Sequence, residues 1–228
     1  MNMTTSRLTR AAGLSAVLSG LLFIFVQLIH PDENVAAVTT TAWTVTHSLT
    51  MCMAVLGLVG LSGIYLRQVR ETGLLGLIGY LMFGLFFLVT TAFTFVEAFV
   101  LPPLAEDAPR FVQDFLGIFT GVPSDGSLVL EVFNPIGGAL YLVGGVVFGI
   151  AVFRARTLQR WAGVLLAAGT VSTLAIPLLP HAVGRFLAVP VGLAVAWLGW
   201  SLWSEQRTPA TESVPESRGS RLDRVAAQ

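Results

Sequence analysis

The chain has no lysine, one cysteine, three histidines and little charge of either sign. All thirteen basic residues are arginine, a bias that points to a GC-rich bacterial genome rather than to a mechanism. The single cysteine, Cys52, rules out an intrachain disulfide and reads as a small packing residue rather than a nucleophile. Formal net charge is zero, so no polyanionic partner and no nucleic acid is expected. No GxSxG, P-loop, HxxxH, HExxH or CxxCH pattern occurs, so no motif points to nucleotide, hydrolase or c-type haem chemistry.

What remains is apolar. Hydrophobic residues make up 54% of the 228 positions and charged residues only 11%, against about 25% in a soluble domain. Mean hydropathy is +0.78. Length alone allows one or two domains. The even spread of apolar runs favours one membrane domain plus a tail, because only a bilayer can absorb that much apolar side chain.

Six segments approach the roughly 20 apolar residues that a crossing helix needs. They cover about 11–29, 43–66, 73–101, 129–153, 161–179 and 182–203. The expected fold is therefore all-α: an integral bundle of six transmembrane helices over residues 1–204. The first run is too long for a signal-peptide core and ends in His30-Pro31-Asp32-Glu33, a poor cleavage neighbourhood. Residues 205–228, rich in Ser, Thr, Pro, Glu and Arg, are expected to form a disordered tail.

Arginine sets the orientation. Arg7, Arg10, Arg67, Arg70, Arg154, Arg156, Arg160, Arg207, Arg218, Arg221 and Arg224 fall on one side of a six-span chain; only Arg110 and Arg185 fall on the other. The positive-inside rule then puts both termini in the cytoplasm of a bacterial plasma membrane. Outside, residues 31–42 read as a short polar loop and 102–128 as a long one. In the long loop Phe111, Phe115, Ile118 and Phe119 share a helical face, with Asp107 able to cap the start and Gly121 to end it. This short amphipathic helix is expected to connect along the interface; the alternative is a lid over the bundle.

The polar residues converge on the outer half. Ser19, Phe23, Gln27 and His30 share one stripe; His47 lies a turn inside Trp43; Thr90, Thr94 and Glu97 share a face, as do Glu131, Asn134, Gly138 and Tyr141; Thr173, Pro177, His181 and Arg185 line the last outer turn. Buried charge is costly in a membrane unless paired, and Glu97 with Arg185 is the expected ion pair. The inner half, with Gly57, Gly60, Gly63, Gly76, Gly79, Gly144, Gly145 and Gly149, suits tight helix packing. An inner half that is closed and an outer half that is open imply an outer-leaflet pocket lined by His47, Glu97, Glu131, Asn134, Tyr141, His181 and Arg185. It would hold a small or lipid-like ligand for binding or sensing. Two alternatives stand beside this. One is a membrane-embedded, metal-dependent enzyme, with Glu97 as base and His47, Glu97 and His181 as ligands. The other is a structural or partner-binding subunit. No cofactor is strongly implied.

The opening Ser6-Arg7-Leu8-Thr9-Arg10-Ala11-Ala12-Gly13-Leu14, the span ending Gln27-Leu28-Ile29-His30-Pro31, Thr91-Ala92-Phe93-Thr94-Phe95-Val96-Glu97 and Leu179-Pro180-His181 carry a resemblance. Over residues 6–204 the chain resembles uncharacterised multi-spanning proteins of high-GC bacteria and haloarchaea, grouped as a domain of unknown function. The resemblance implies the multi-spanning fold and no particular chemistry.

Overall fold

A computed structural model describes residues 4–120, 128–179 and 181–205, except the side chains at 119, 120, 128–134, 177, 181 and 182. Among the described residues every regular element is helical. In chain order these are α1 (Thr5–Ile29), α2 (Val35–Val38), α3 (Thr41–Arg67), α4 (Val69–Phe95), a π-helical turn (Val96–Val100), α5 (Leu101–Asp107), α6 (Pro109–Thr120), α7 (Leu128–Ala155) and α8 (Arg160–Ser172). A 3-10 turn (Thr173–Leu178), α9 (His181–Gly184), a second 3-10 turn (Arg185–Ala188) and α10 (Val189–Glu205) complete the chain. The tail beyond Glu205 lies outside the described residues.

Five stretches are long and apolar enough to cross a membrane: Thr5–Ile29, Thr41–Arg67, Val69–Asp107, Pro135–Ala155 and Arg185–Glu205. Arg160–Ile176 is a shorter apolar helix. Large apolar side chains such as Leu21, Leu28, Leu66, Leu74, Leu81 and Leu88 point outward. Water would not tolerate so much exposed hydrocarbon, so the chain is a helical membrane protein.

The long helices pack in chain order as a ring. α1 lies against α3, α3 against α4, α4 against α7, α7 against α8 and α8 against α10, and α10 closes back on α1. Phe23, Met53, Phe83, Phe87, Phe148, Leu166 and Leu198 belong to the shared apolar core. One polar contact crosses it: Ser19 Oγ–H donates to the Met53 carbonyl at 2.8 Å.

The two ends differ. At the arginine end Arg67 grips Glu205 through Nε and Nη2 at 2.8 and 2.6 Å. Arg10 lies over Trp203 there, and the Gln159 N–H donates to Ser201 Oγ. At the histidine end α2, α5 and α6 form a cap. Val112, Phe115 and Leu116 of α6 are buried with Val38, Trp43, Leu101 and Ala105. The amphipathic helix thus packs on the end of the bundle. Its buried face is turned from the expected one, since Phe111 is exposed. Asp107 ends α5 instead of capping α6; Gly121 and the Phe119 side chain lie outside the described residues.

Three breaks shape the bundle. Gln68 alone separates α3 from α4, and Gly73 then takes φ +55°, a left-handed conformation suited to glycine. Past Glu97 the helix does not stop near Leu101. Pro102 and Pro103 lack N–H groups and open α5 after the π turn. Beyond Ser172 the helix tightens to 3-10 geometry, where the Ser172 and Thr173 hydroxyls bond carbonyls three residues back and Pro177 supplies no N–H.

The Gln68 amide is wholly buried, and among the described residues neither its nitrogen nor its oxygen has a hydrogen-bond partner. Gln68→Met keeps the length and removes both polar groups, so it is expected to raise stability by about 1 kcal/mol. Thermal unfolding in mild detergent checks this. A loss of stability instead would reveal a bound partner, such as a water, at the amide.

Candidate functional site

The first turn of α3 starts the site. Thr40 Oγ1 accepts from the Trp43 N–H and caps the helix, which fixes where Trp43 enters the bundle. Trp43 is fully buried beneath the cap. Its indole N–H donates to the Glu97 carbonyl at 2.8 Å, and its own carbonyl lies 2.8 Å from His47 Nδ1. The Trp43 and His47 rings are 4.1 Å apart, centre to centre. Trp43 therefore holds both His47 and the backbone at Glu97.

Glu97 sits in the π turn. The Leu101 N–H bonds the Val96 carbonyl, five residues back, so the helix is one residue wider here. Such turns recur at functional sites because they re-aim side chains. Glu97 Oε2 lies 3.6 Å from His47 Nε2. Both residues are buried, at 7% and 2% exposure.

The hydrogen-bond chemistry of this pair is constrained. A carbonyl only accepts, so the Nδ1 facing Trp43 must carry a proton. A neutral imidazole then presents the lone pair of Nε2 to the carboxylate. Two lone pairs repel. The contact is attractive only when one proton sits between them, on Nε2 or on Oε2.

His30 extends the cluster. Its ring meets His47 edge-on, 5.2 Å between centres, and its Nδ1 lies 2.9 Å from the Pro31 carbonyl. Arg185 donates to the His30 carbonyl at 2.8 Å and to the Pro31 carbonyl at 3.5 Å. The guanidinium thus ties the end of α1 to the 3-10 turn before α10. The expected Glu97–Arg185 ion pair is replaced by Glu97–His47. On the loop after α1, Glu33 Oε2 is buried with no hydrogen-bond partner among the described residues.

Of the seven lining residues expected from sequence, His47 and Glu97 are in contact and Arg185 adjoins them through His30. The Tyr141 ring packs on Phe86 at 4.9 Å and Phe83 at 6.1 Å, and its buried hydroxyl has no hydrogen-bond partner among the described residues. The side chains of Glu131, Asn134 and His181 lie outside the described residues. Sequence reasoning left Trp43 and Glu33 out of the lining. The Thr40 cap marks Trp43 as a first-turn residue, and the acid two places after Pro31 is the only signal for Glu33.

Among the described residues no three His, Cys, Asp or Glu side chains gather to hold a metal ion. His47 and Glu97 supply two donors, and His181, the third residue of the candidate set, falls outside. No family model, curated protein or solved structure matches this chain.

Proposed function

We propose that this is a six-span protein of a bacterial plasma membrane, with both termini cytoplasmic, that binds or senses a small or lipid-like ligand at its histidine end. Kinship with the multi-spanning proteins it resembles is part of the same reading. The sixth crossing is α8 with its extension. Thirteen α residues at about 1.5 Å and six 3-10 residues at about 2.0 Å reach about 31 Å, close to the hydrocarbon thickness. The orientation follows from Arg7, Arg10, Arg67, Arg70, Arg154, Arg156 and Arg160 at one end against Arg110 and Arg185 at the other.

The observation that carries the ligand reading is the His47–Glu97 contact. An apolar or saturated site would be cheaper at this depth. The chain instead sets His47 Nε2 and a Glu97 oxygen 3.6 Å apart, with the imidazole tautomer fixed by Trp43, and buries a Glu33 oxygen that has no hydrogen-bond partner among the described residues. A polar group left open in this way suits a ligand bearing N–H or O–H donors. Glu131, Asn134, His181 and Tyr141 complete the proposed lining.

Native mass spectrometry from mild detergent tests this, comparing wild type with Glu97→Gln at matched helicity. The expected result is a discrete extra mass on the wild type that is lost from the variant. A bare mass for both would favour a structural or partner-binding subunit.

A further inference from the structure

At the arginine end a cavity of about 370 Å³ opens between the α7–α8 turn and α10. Arg156, Gln159, Arg160, Trp161 and Ser201 are among its lining residues. Arg67 at the same end is neutralised by Glu205. Arg156 and Arg160 have no carboxylate partner among the described residues.

The two arginines are held differently. The Arg160 guanidinium lies 5.6 Å from the Phe153 ring centre and 5.2 Å from that of Trp161. Cation–π contact of this kind holds the guanidinium beside the rings without using its N–H donors. Arg156 takes φ +56°, the left-handed region where a β-carbon is crowded. Strain of that sort is retained where it positions a side chain. The Gln159 backbone N–H is already spent on Ser201 Oγ at 3.2 Å, and the two guanidiniums are the charged donors of the lining. Trp161 is 55% exposed on the outer surface of the bundle, at the helix end where indoles lie at headgroup level.

We propose that this cavity binds the phosphate of an anionic phospholipid headgroup, with Arg156 and Arg160 as its two cationic ligands. The charge-assisted fork-to-phosphate bonds match two guanidiniums that meet no carboxylate among the described residues, and the exposed indole puts the cavity at the level where such phosphates lie. The inference rests on the proposed orientation, which turns this end to the anionic cytoplasmic leaflet. It is independent of the His47–Glu97 site.

The test is phosphatidylglycerol retention by the full chain. Protein is equilibrated in vesicles of phosphatidylcholine with phosphatidylglycerol, moved to neutral detergent and weighed by native mass spectrometry. Wild type is expected to keep a phosphatidylglycerol adduct. Arg156→Gly and Arg160→Gln are each expected to lower its occupancy by about tenfold. Arg70→Gln, an exposed arginine at the same end, is expected to leave it unchanged. Arg156→Gly relieves the left-handed strain and so should fold at least as well as wild type; lipid lost there reports the guanidinium, not misfolding. Equal retention in all variants overturns the proposal, as does an equal loss in Arg70→Gln, which would mean diffuse attraction. Displacement of the lipid by millimolar inorganic phosphate alone would assign the cavity to free phosphate and overturn the lipid assignment. If the histidine-end adduct is absent while this one persists, only the reading of the outer site fails.

Discussion

Gly20→Ala is expected to break the bundle, whereas Gly84→Ala is expected to leave it intact. A β-carbon at Gly20 would fall on the Gly192 carbonyl oxygen, 2.6 Å from the Ala196 nitrogen and 2.8 Å from its β-carbon. Two of these atoms are backbone of α10 and the third is fixed to it, so no rotamer change relieves the clash. The approach recurs seven residues away, where a β-carbon at Gly13 would lie 2.9 Å from the Gly199 carbonyl oxygen. These contacts close the ring between the first and last long helices. Forcing them apart is expected to cost about 3 kcal/mol or more, at the upper end for overpacking. At Gly84 the nearest atoms are side-chain methyls of Leu58 and Leu61, at 3.5 and 3.8 Å, an ordinary contact. Monodisperse yield and thermal unfolding in detergent read the difference. A Gly20→Ala protein as stable as wild type would show that α1 and α10 do not pack at this distance.

Trp43→Ala carries the second large effect. The indole is fully buried, touches the cap and supplies the N–H that bonds the Glu97 carbonyl. Its removal leaves a cavity and an unmade bond, together expected to cost about 3–5 kcal/mol. Trp43→Phe keeps most of the volume and loses the hydrogen bond, for a cost nearer 1–2 kcal/mol. The cap reports the loss directly. Arg110 lies in α6 and is the one arginine of the sequence between α4 and α7, so trypsin should cut there rapidly in Trp43→Ala, slowly in Trp43→Phe and slowest in wild type. Equal cutting of all three would detach the cap from Trp43.

The helices were legible because runs of about 20 apolar residues have one cheap solution in lipid. Their endings were not. Pro102-Pro103 reads as a stop, yet these prolines open α5 within an almost continuous Val69–Asp107 stretch. The π turn at Glu97 has no marker of its own, since it answers to the prolines beyond it and to the packing of Trp43. The polar stripes told which residues share a face on each helix. They could not tell which faces meet, because pairing depends on each helix's rotation and axial shift, at about 100° and 1.5 Å per residue. Hence Glu97 was matched by charge to Arg185, while the structure sets it against His47. For the same reason the sequence does not show that Tyr141 packs against Phe83 and Phe86. Helix α6 was legible as an amphipathic helix, though the apolar patch beneath it, built from α2, α3 and α5, comes from distant parts of the chain.

The central claim is that His47 spends its Nδ1–H on Trp43 and turns an open Nε2 toward Glu97. Nitrogen-15 NMR of histidine-labelled protein tests it directly, since the chain has only three histidines and His47→Gln assigns the signal. The account predicts an Nδ1–H on His47 and an Nε2 resonance that moves in Glu97→Gln, where the carboxylate becomes an amide. A His47 that carries its only proton on Nε2, with Nδ1 bare against the Trp43 carbonyl, would contradict it.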